Sequence, residues 1–229
     1  MKKVAILVDG GFYKKRAKFL FGDKTPVERA NELITYCLRH LNNKNCDDEL
    51  YRIFYYDCMP SEKNVFHPLT GKVINLKKEP IYSWNKEFFN ELINKRKVAL
   101  RMGELLESSL EYNLKSNSTK KLCNGTITIS DLKDNDFELD IKQKGVDMRI
   151  GLDVASLAYK KQVEKIVLIA GDSDFVPVAK HARREGIDFV LDPLWQKIKP
   201  SLMEHIDGLE SKTPKPGSST LDKLKNNTK

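Results

Sequence analysis

Two apolar runs of strand length, "KVAILV" at residues 3–8 and "KIVLIA" at residues 165–170, lead directly into the aspartate-bearing turns "DGG" and "GDSD". Short runs rich in branched side chains fit strands buried on both faces, which occur in parallel sheets covered by helices. Thr25, Pro26 and Glu28 form an N-terminal signature for a helix over 26–41, with Leu33, Ile34, Cys37, Leu38 and Leu41 inward. Further helices are expected over 146–160 and 175–185, and further strands at "ELYRIFYYDC" and "IDFVL". The turn signal at Asp9-Gly10-Gly11 closes the first strand. This alternation predicts an α/β fold around a central, mostly parallel sheet.

The middle of the chain breaks the rhythm. Residues 59–81, punctuated by Pro60, Pro68, Gly71 and Pro80, read as a long loop. "SWNKEFFNELINKRK" reads as a helix with Trp84, Phe88 and Leu92 inward, and "VALRMGEL" as a short strand. Residues 122–142 alternate branched and polar positions, which predicts an inserted two-stranded β-ribbon. The expected organisation is a domain over 1–210 with a variable insertion at about 59–143. A broken helix is expected after Asp192-Pro193, around Pro200. Residues 211–229 read as a basic disordered tail.

With 229 residues the chain is long enough for a core of ordinary size. Its 40% hydrophobic and 31% charged residues exclude wholesale disorder, and no apolar run nears the roughly 20 residues of a membrane helix. The apolar run at the N-terminus is too short for a signal peptide, so a cytoplasmic location without a membrane partner is expected. Cys37, Cys46, Cys58 and Cys123 show neither zinc-knuckle nor disulfide spacing. The net charge of +8 suits a nucleic-acid partner, although residues 211–229 alone carry five lysines against one aspartate. An open sheet edge also admits a homodimer, which the sequence leaves undecided.

In a parallel sheet the strand C-termini share one rim, and the helices that follow them begin there. Asp9, Asp172 and Asp174 therefore fall on that rim. Asp147 opens a helix whose Ile150, Gly151, Val154 and Ala158 share its face, so it joins them; Asp153, rotated roughly 120° away, is a secondary candidate on the flank. Singly, each acid has a plainer role: a turn residue at Asp9, a helix cap at Asp172 or Asp174, a dipole partner at Asp147. Four converging carboxylates would repel unless protons or a cation compensated them, and a divalent ion such as Mg2+ or Mn2+ suits these hard oxygen ligands. A site of this kind can activate water for attack on a phosphodiester without histidine or cysteine.

"VAILVDGGF", "KGVDMRIGLDVASLAY" and "VLIAGDSDFVPVAKHARREGIDF" together resemble the NYN domain of the PIN-like nuclease superfamily, in its LabA-like (DUF88) group. The resemblance covers about 3–58 and 144–192 and implies a PIN-like three-layer α/β/α fold. It also implies a metal-dependent endoribonuclease acting on RNA, single-stranded by preference, with Asp9, Asp147, Asp172 and Asp174 as metal-binding catalytic residues. Ser173 and the helix N-terminus are available to phosphate, with Lys144, Arg149, Lys14 and Arg16 as substrate-binding candidates. Some members carry asparagine in a "DGxN" motif where this chain has Phe12. A catalytically weak RNA-binding module of the same fold is therefore the alternative. A haloacid-dehalogenase phosphatase would need a second aspartate at Gly11, and a dinucleotide-binding domain would need a glycine fingerprint that "DGGF" lacks.

Overall fold

The computed structural model describes residues 1–42 and 48–216, and the chain divides into two compact units. The first comprises Met1–Asp57, Glu87–Gly103 and the chain from Gly145 onward; the second comprises Cys58–Lys86 and Glu104–Lys144. Residues 87–103, which separate the two segments of the second unit in the chain, belong to the first.

The first unit begins with β1 (Lys3–Asp9), α1 (Gly10–Phe21), α2 (Pro26–Leu38) and β2 (Glu49–Cys58). The helix α1 corrects the expected turn: Asp9 caps it, accepting the Phe12 N–H, and Gly10, Tyr13, Ala17 and Leu20 form its buried stripe. Burial at this spacing outweighs the roughly 1 kcal/mol cost of each glycine in a helix. α2 starts with the expected box, Thr25 and Glu28 capping each other's backbone, but ends at Leu38.

The second unit contains β3 (Asn64–Phe66) and β4 (Val73–Asn75), which pair antiparallel where a loop was expected. α3 (Pro80–Ile93) passes from it into the first unit, and β5 (Val98–Leu105) passes back. The expected ribbon at 122–142 is also corrected. β6 (Glu111–Leu114) pairs with β7 (Phe137–Asp140), and between them lie α4 (Ser116–Cys123) and two 3-10 turns. β8 (Gln143–Lys144) pairs antiparallel with Leu105 and Glu104 at the end of β5.

The first unit then resumes with α5 (Val146–Tyr159), β9 (Lys165–Ile169), a 3-10 turn at Ser173–Phe175, α6 (Val176–Arg184) and β10 (Asp188–Asp192). The broken helix expected after Pro193 is instead a turn, followed by the short α7 (Pro200–Met203) and β11 (Gly208–Leu209). The seven-stranded sheet runs β11-β10-β9-β1-β2-β5-β8, and β1 pairs parallel with both β2 and β9. β10 likewise pairs parallel with β9 and β11. The fold is thus mixed α/β, a mostly parallel sheet flanked by helices, as expected. All five residues of β9 are buried, and each large apolar side chain so enclosed contributes about 1.5–3 kcal/mol.

The tail expected from 211 begins later. The Ser211 hydroxyl bonds to Asp192, the Lys212 N–H donates to the Tyr36 hydroxyl, and Thr213 is buried. Residues 217–229, the rest of that tail, lie outside the described residues, as does Cys46. Among the described residues no helix is long and apolar enough to cross a membrane.

Candidate active site

The parallel register brings carboxylates to one edge of the first unit. Asp9 pairs with Tyr56 at the end of β1, Asp57 follows Tyr56, and Asp192 pairs with Ile169, two residues before Gly171. These acids fall into two classes, one open and one already compensated by the protein.

Asp9 heads the open class. Its Oδ1 accepts the Phe12 N–H at 3.0 Å. Burial pushes its carboxyl from the ordinary 3.8 up to about 6, and the Asp147 and Asp57 charges add to that rise. The backbone N–H groups of Phe12 and Gly11 oppose it. Asp147 lies in the first turn of α5, after Gly145, whose φ of 80° ends the preceding segment in the left-handed region. Partial burial raises its pKa too, followed by the charges of Asp172 and Asp174. Asp172 caps the 3-10 turn, its Oδ1 accepting the Asp174 N–H at 3.1 Å, and both acids are exposed. An electrostatic chain therefore links all four expected acids, Asp9 to Asp147 and Asp147 to Asp172 and Asp174.

The donor chemistry of these four acids suits a hard divalent ion, because they offer carboxylate oxygens only and lie partly open to water. Among the described residues no group of three or more His, Cys, Asp or Glu side chains is placed so as to hold a metal ion. Mg2+ is usually bound by only a few carboxylates, with its remaining positions left to water and substrate.

The compensated class comprises Asp57, Asp153 and Asp192. Asp57 is buried against the Lys14 ammonium at 2.8 Å and the Tyr55 hydroxyl at 3.2 Å. Gly10 permits this packing, since a Cβ there would lie 2.6 Å from both Asp57 Oδ2 and the Tyr55 ring. Asp153, the secondary candidate, accepts from the Tyr56 hydroxyl at 2.7 Å and from Arg101 Nε at 2.9 Å. Asp192 is fully buried and meets Tyr36, His40, Ser211 and the Leu194 N–H.

The basic candidates divide in a similar way. Lys14 is committed to Asp57, and Arg16 donates twice to the Leu194 carbonyl, at 3.2 and 2.6 Å. Arg149 is exposed on α5, and Ser173 is half-buried in the 3-10 turn after Asp172. Lys144 is exposed on β8, in the second unit.

Sequence reasoning reads the second strand as closing at Asp57 but leaves that acid out of the candidates, and it misses the turn at Leu194-Trp195. Both of these residues have positive φ, 46° and 63°, a strained choice for non-glycine residues. The turn is fixed by Asp192 accepting from Leu194, Arg16 donating to Leu194, and the Ser211 hydroxyl accepting from Trp195. It brings Gln196 beside Gly171. A Cβ on Gly171 would lie 2.4 Å from Phe12 Cε2 and 2.8 Å from Gln196 Nε2, so the Phe12 ring rests on the Gly171 backbone next to Asp172.

That contact yields an expected result. Gly171→Ala should weaken the fold by about 1–3 kcal/mol, because the Phe12 ring must move. In a Phe12→Ala background most of the cost should vanish. A double-mutant cycle in urea measures the coupling, and equal costs in both backgrounds would exclude the ring as the cause.

In comparison with known proteins, residues 104–207 match the model of the NYN domain, a domain of the PIN-like superfamily. The matched span contains Asp147, Asp172 and Asp174 and ends short of Asp9 on the N-terminal side. A crystal structure of a protein of unknown function from Vibrio parahaemolyticus is similar at 13% identity and a TM-score of 0.47, with 93% of each chain covered. No curated protein matches this chain.

Proposed function

We propose that this chain, with its PIN-like NYN domain, is a metal-dependent ribonuclease that hydrolyses phosphodiester bonds of single-stranded RNA at Asp9, Asp147, Asp172 and Asp174. The observation that carries the reading is the electrostatic coupling of these four acids while Asp57, Asp153 and Asp192 are compensated internally. Mg2+ or Mn2+, when bound, would supply a water of lowered pKa and charge stabilisation for phosphate oxygens. Asp9, fixed by its bond to Phe12, and Asp147, at the head of α5, would hold that ion. Asp172 and Asp174 would orient its remaining water positions, and the 3-10 turn at Ser173 would face the phosphate. The NYN match supports a nuclease; placement in the LabA-like group rests on the sequence motifs. A cytoplasmic setting and a homodimer remain part of the proposal.

A second reading, a catalytically weak RNA-binding module, is favoured by Phe12, whose apolar ring occupies the approach to Gly171 where a polar contact would serve chemistry better. Cleavage of a labelled single-stranded RNA in Mn2+, Mg2+ or EDTA separates the two. The nuclease reading expects metal-dependent cutting that falls at least a hundredfold in Asp147→Asn and in Asp172→Asn. Binding without cutting by the folded wild type, unaltered by either substitution, would establish the binding module instead.

A further inference from the structure

A cleft of about 680 Å³ lies at the far end of α6, lined by Lys180, Arg183, Arg184, Asp188, His205 and Asp207 among others. It sits toward the N-terminal ends of the strands, where β10 begins at Asp188, whereas Asp172 and Asp174 precede the start of α6. The charges in the cleft do not cancel. Asp188 is paired with Lys2 Nζ at 2.9 Å. Asp207 is paired with Arg183 Nε at 2.9 Å and also accepts the Phe189 N–H. Both acids are therefore compensated, and Arg183, which also donates to the Glu204 carbonyl, is occupied.

Lys180 and Arg184 remain. Both are exposed, and among the described residues neither side chain has a hydrogen bond or ion pair; the same holds for the His205 ring. Spaced four apart on α6, the two cations share a face and repel each other. The negative end of the helix offsets part of that repulsion in the last turn. An anion between them would remove the rest.

We propose that this cleft is a second phosphate-binding site, which holds the sugar-phosphate backbone of an RNA strand whose cut position lies at the aspartates. The proposal rests on the ribonuclease reading for the identity of the strand. From Asp174 to Arg184 the chain climbs ten residues, about 15 Å along a helix. A strand with phosphates spaced at roughly 3.4 Å or more covers that distance within a few nucleotides. An open cleft whose surplus cations lie one helical turn apart suits successive phosphates of a chain better than a single enclosed ion.

The test is fluorescence anisotropy of labelled oligouridylates of 4 and 20 nucleotides, in EDTA so that no strand is cut, at several KCl concentrations. The wild type is compared with Lys180→Ala/Arg184→Ala and with Arg184→Glu, each checked for folding by circular dichroism. The expected result is at least a tenfold loss of 20-mer affinity in the double variant. Its salt slope should fall by about two, near one per lost phosphate contact, and the 20-mer to 4-mer affinity ratio should drop. Arg184→Glu alone should also weaken 20-mer binding relative to the wild type. Unchanged 20-mer affinity and slope in the folded variants would overturn the proposal. So would calorimetry showing inorganic phosphate bound in the cleft while 20-mer binding ignores the substitutions. If the variants lose 20-mer affinity but the wild type never cuts RNA, the cleft stands and the ribonuclease reading falls.

Discussion

Replacing Asp9 by asparagine is expected to abolish cleavage and yet, in metal-free buffer at pH 7.5, to stabilise the fold by about 2 kcal/mol. Burial raises the Asp9 carboxyl from 3.8 to about 6, so at neutral pH the folded chain holds an ion in a place that favours the neutral acid. A shift of that size corresponds to roughly 3 kcal/mol, reduced here because the acid is not wholly enclosed. Asparagine keeps an oxygen for the Phe12 N–H and is as good a cap as aspartate. The sign follows from linkage: the folded state binds the proton more tightly than the unfolded state. Wild-type stability should therefore fall as pH rises from about 4 to about 6 and level off above. Asp9→Asn lacks this slope, so the two proteins should differ least below about pH 4. Urea midpoints at pH 4, 5, 6 and 7.5 in EDTA measure it, and a variant less stable than wild type at pH 7.5 would contradict it. Millimolar Mn2+ should raise the melting temperature of the wild type more than that of Asp9→Asn.

Asp192→Ala should have the largest effect on stability of any rim substitution, a loss of about 3–5 kcal/mol. Asp192 is fully buried, and its two oxygens receive the Tyr36 hydroxyl, His40 Nε2 at 2.9 Å, the Leu194 N–H at 2.8 Å and the Ser211 hydroxyl at 2.9 Å. Alanine leaves these donors without an acceptor in a region closed to water, the costly kind of hydrogen-bond loss. It also releases the Leu194-Trp195 turn, whose two left-handed residues have no intrinsic preference for that conformation. Asp172→Ala, at the same rim but exposed, should cost no more than about 1 kcal/mol, the value of a lost cap. Urea denaturation of the two variants side by side checks this, and equal losses would mean that burial does not divide the rim as described.

Both expectations turn on a distinction that the sequence displays only in part. The runs ending at Asp9 and before Asp172, and the sheet-facing stripe under Asp147, fix these acids at one rim, because strand period and helix period are local properties. The same local reasoning found the Thr25 capping box and the strand at 165–169. It failed at α1, where two glycines signal a turn but Tyr13, Ala17 and Leu20 find a buried surface that rewards a helix. It failed again at the β6–β7 pair, because a strand's partner is chosen by register over distance, and the partner of Phe137–Asp140 lay upstream at Glu111–Leu114.

What the sequence by itself determined is the α/β alternation and which acids stand at strand ends and helix starts, since apolar periodicity and parallel-sheet topology leave little choice. Which acids are open and which are neutralised was decided only in three dimensions. The partners that settle it stand far away in the chain: Lys14 for Asp57, Arg101 for Asp153, His40 and Ser211 for Asp192. The charge state of a carboxylate depends on what surrounds it in space, and no local pattern encodes a partner 19 to 152 residues away.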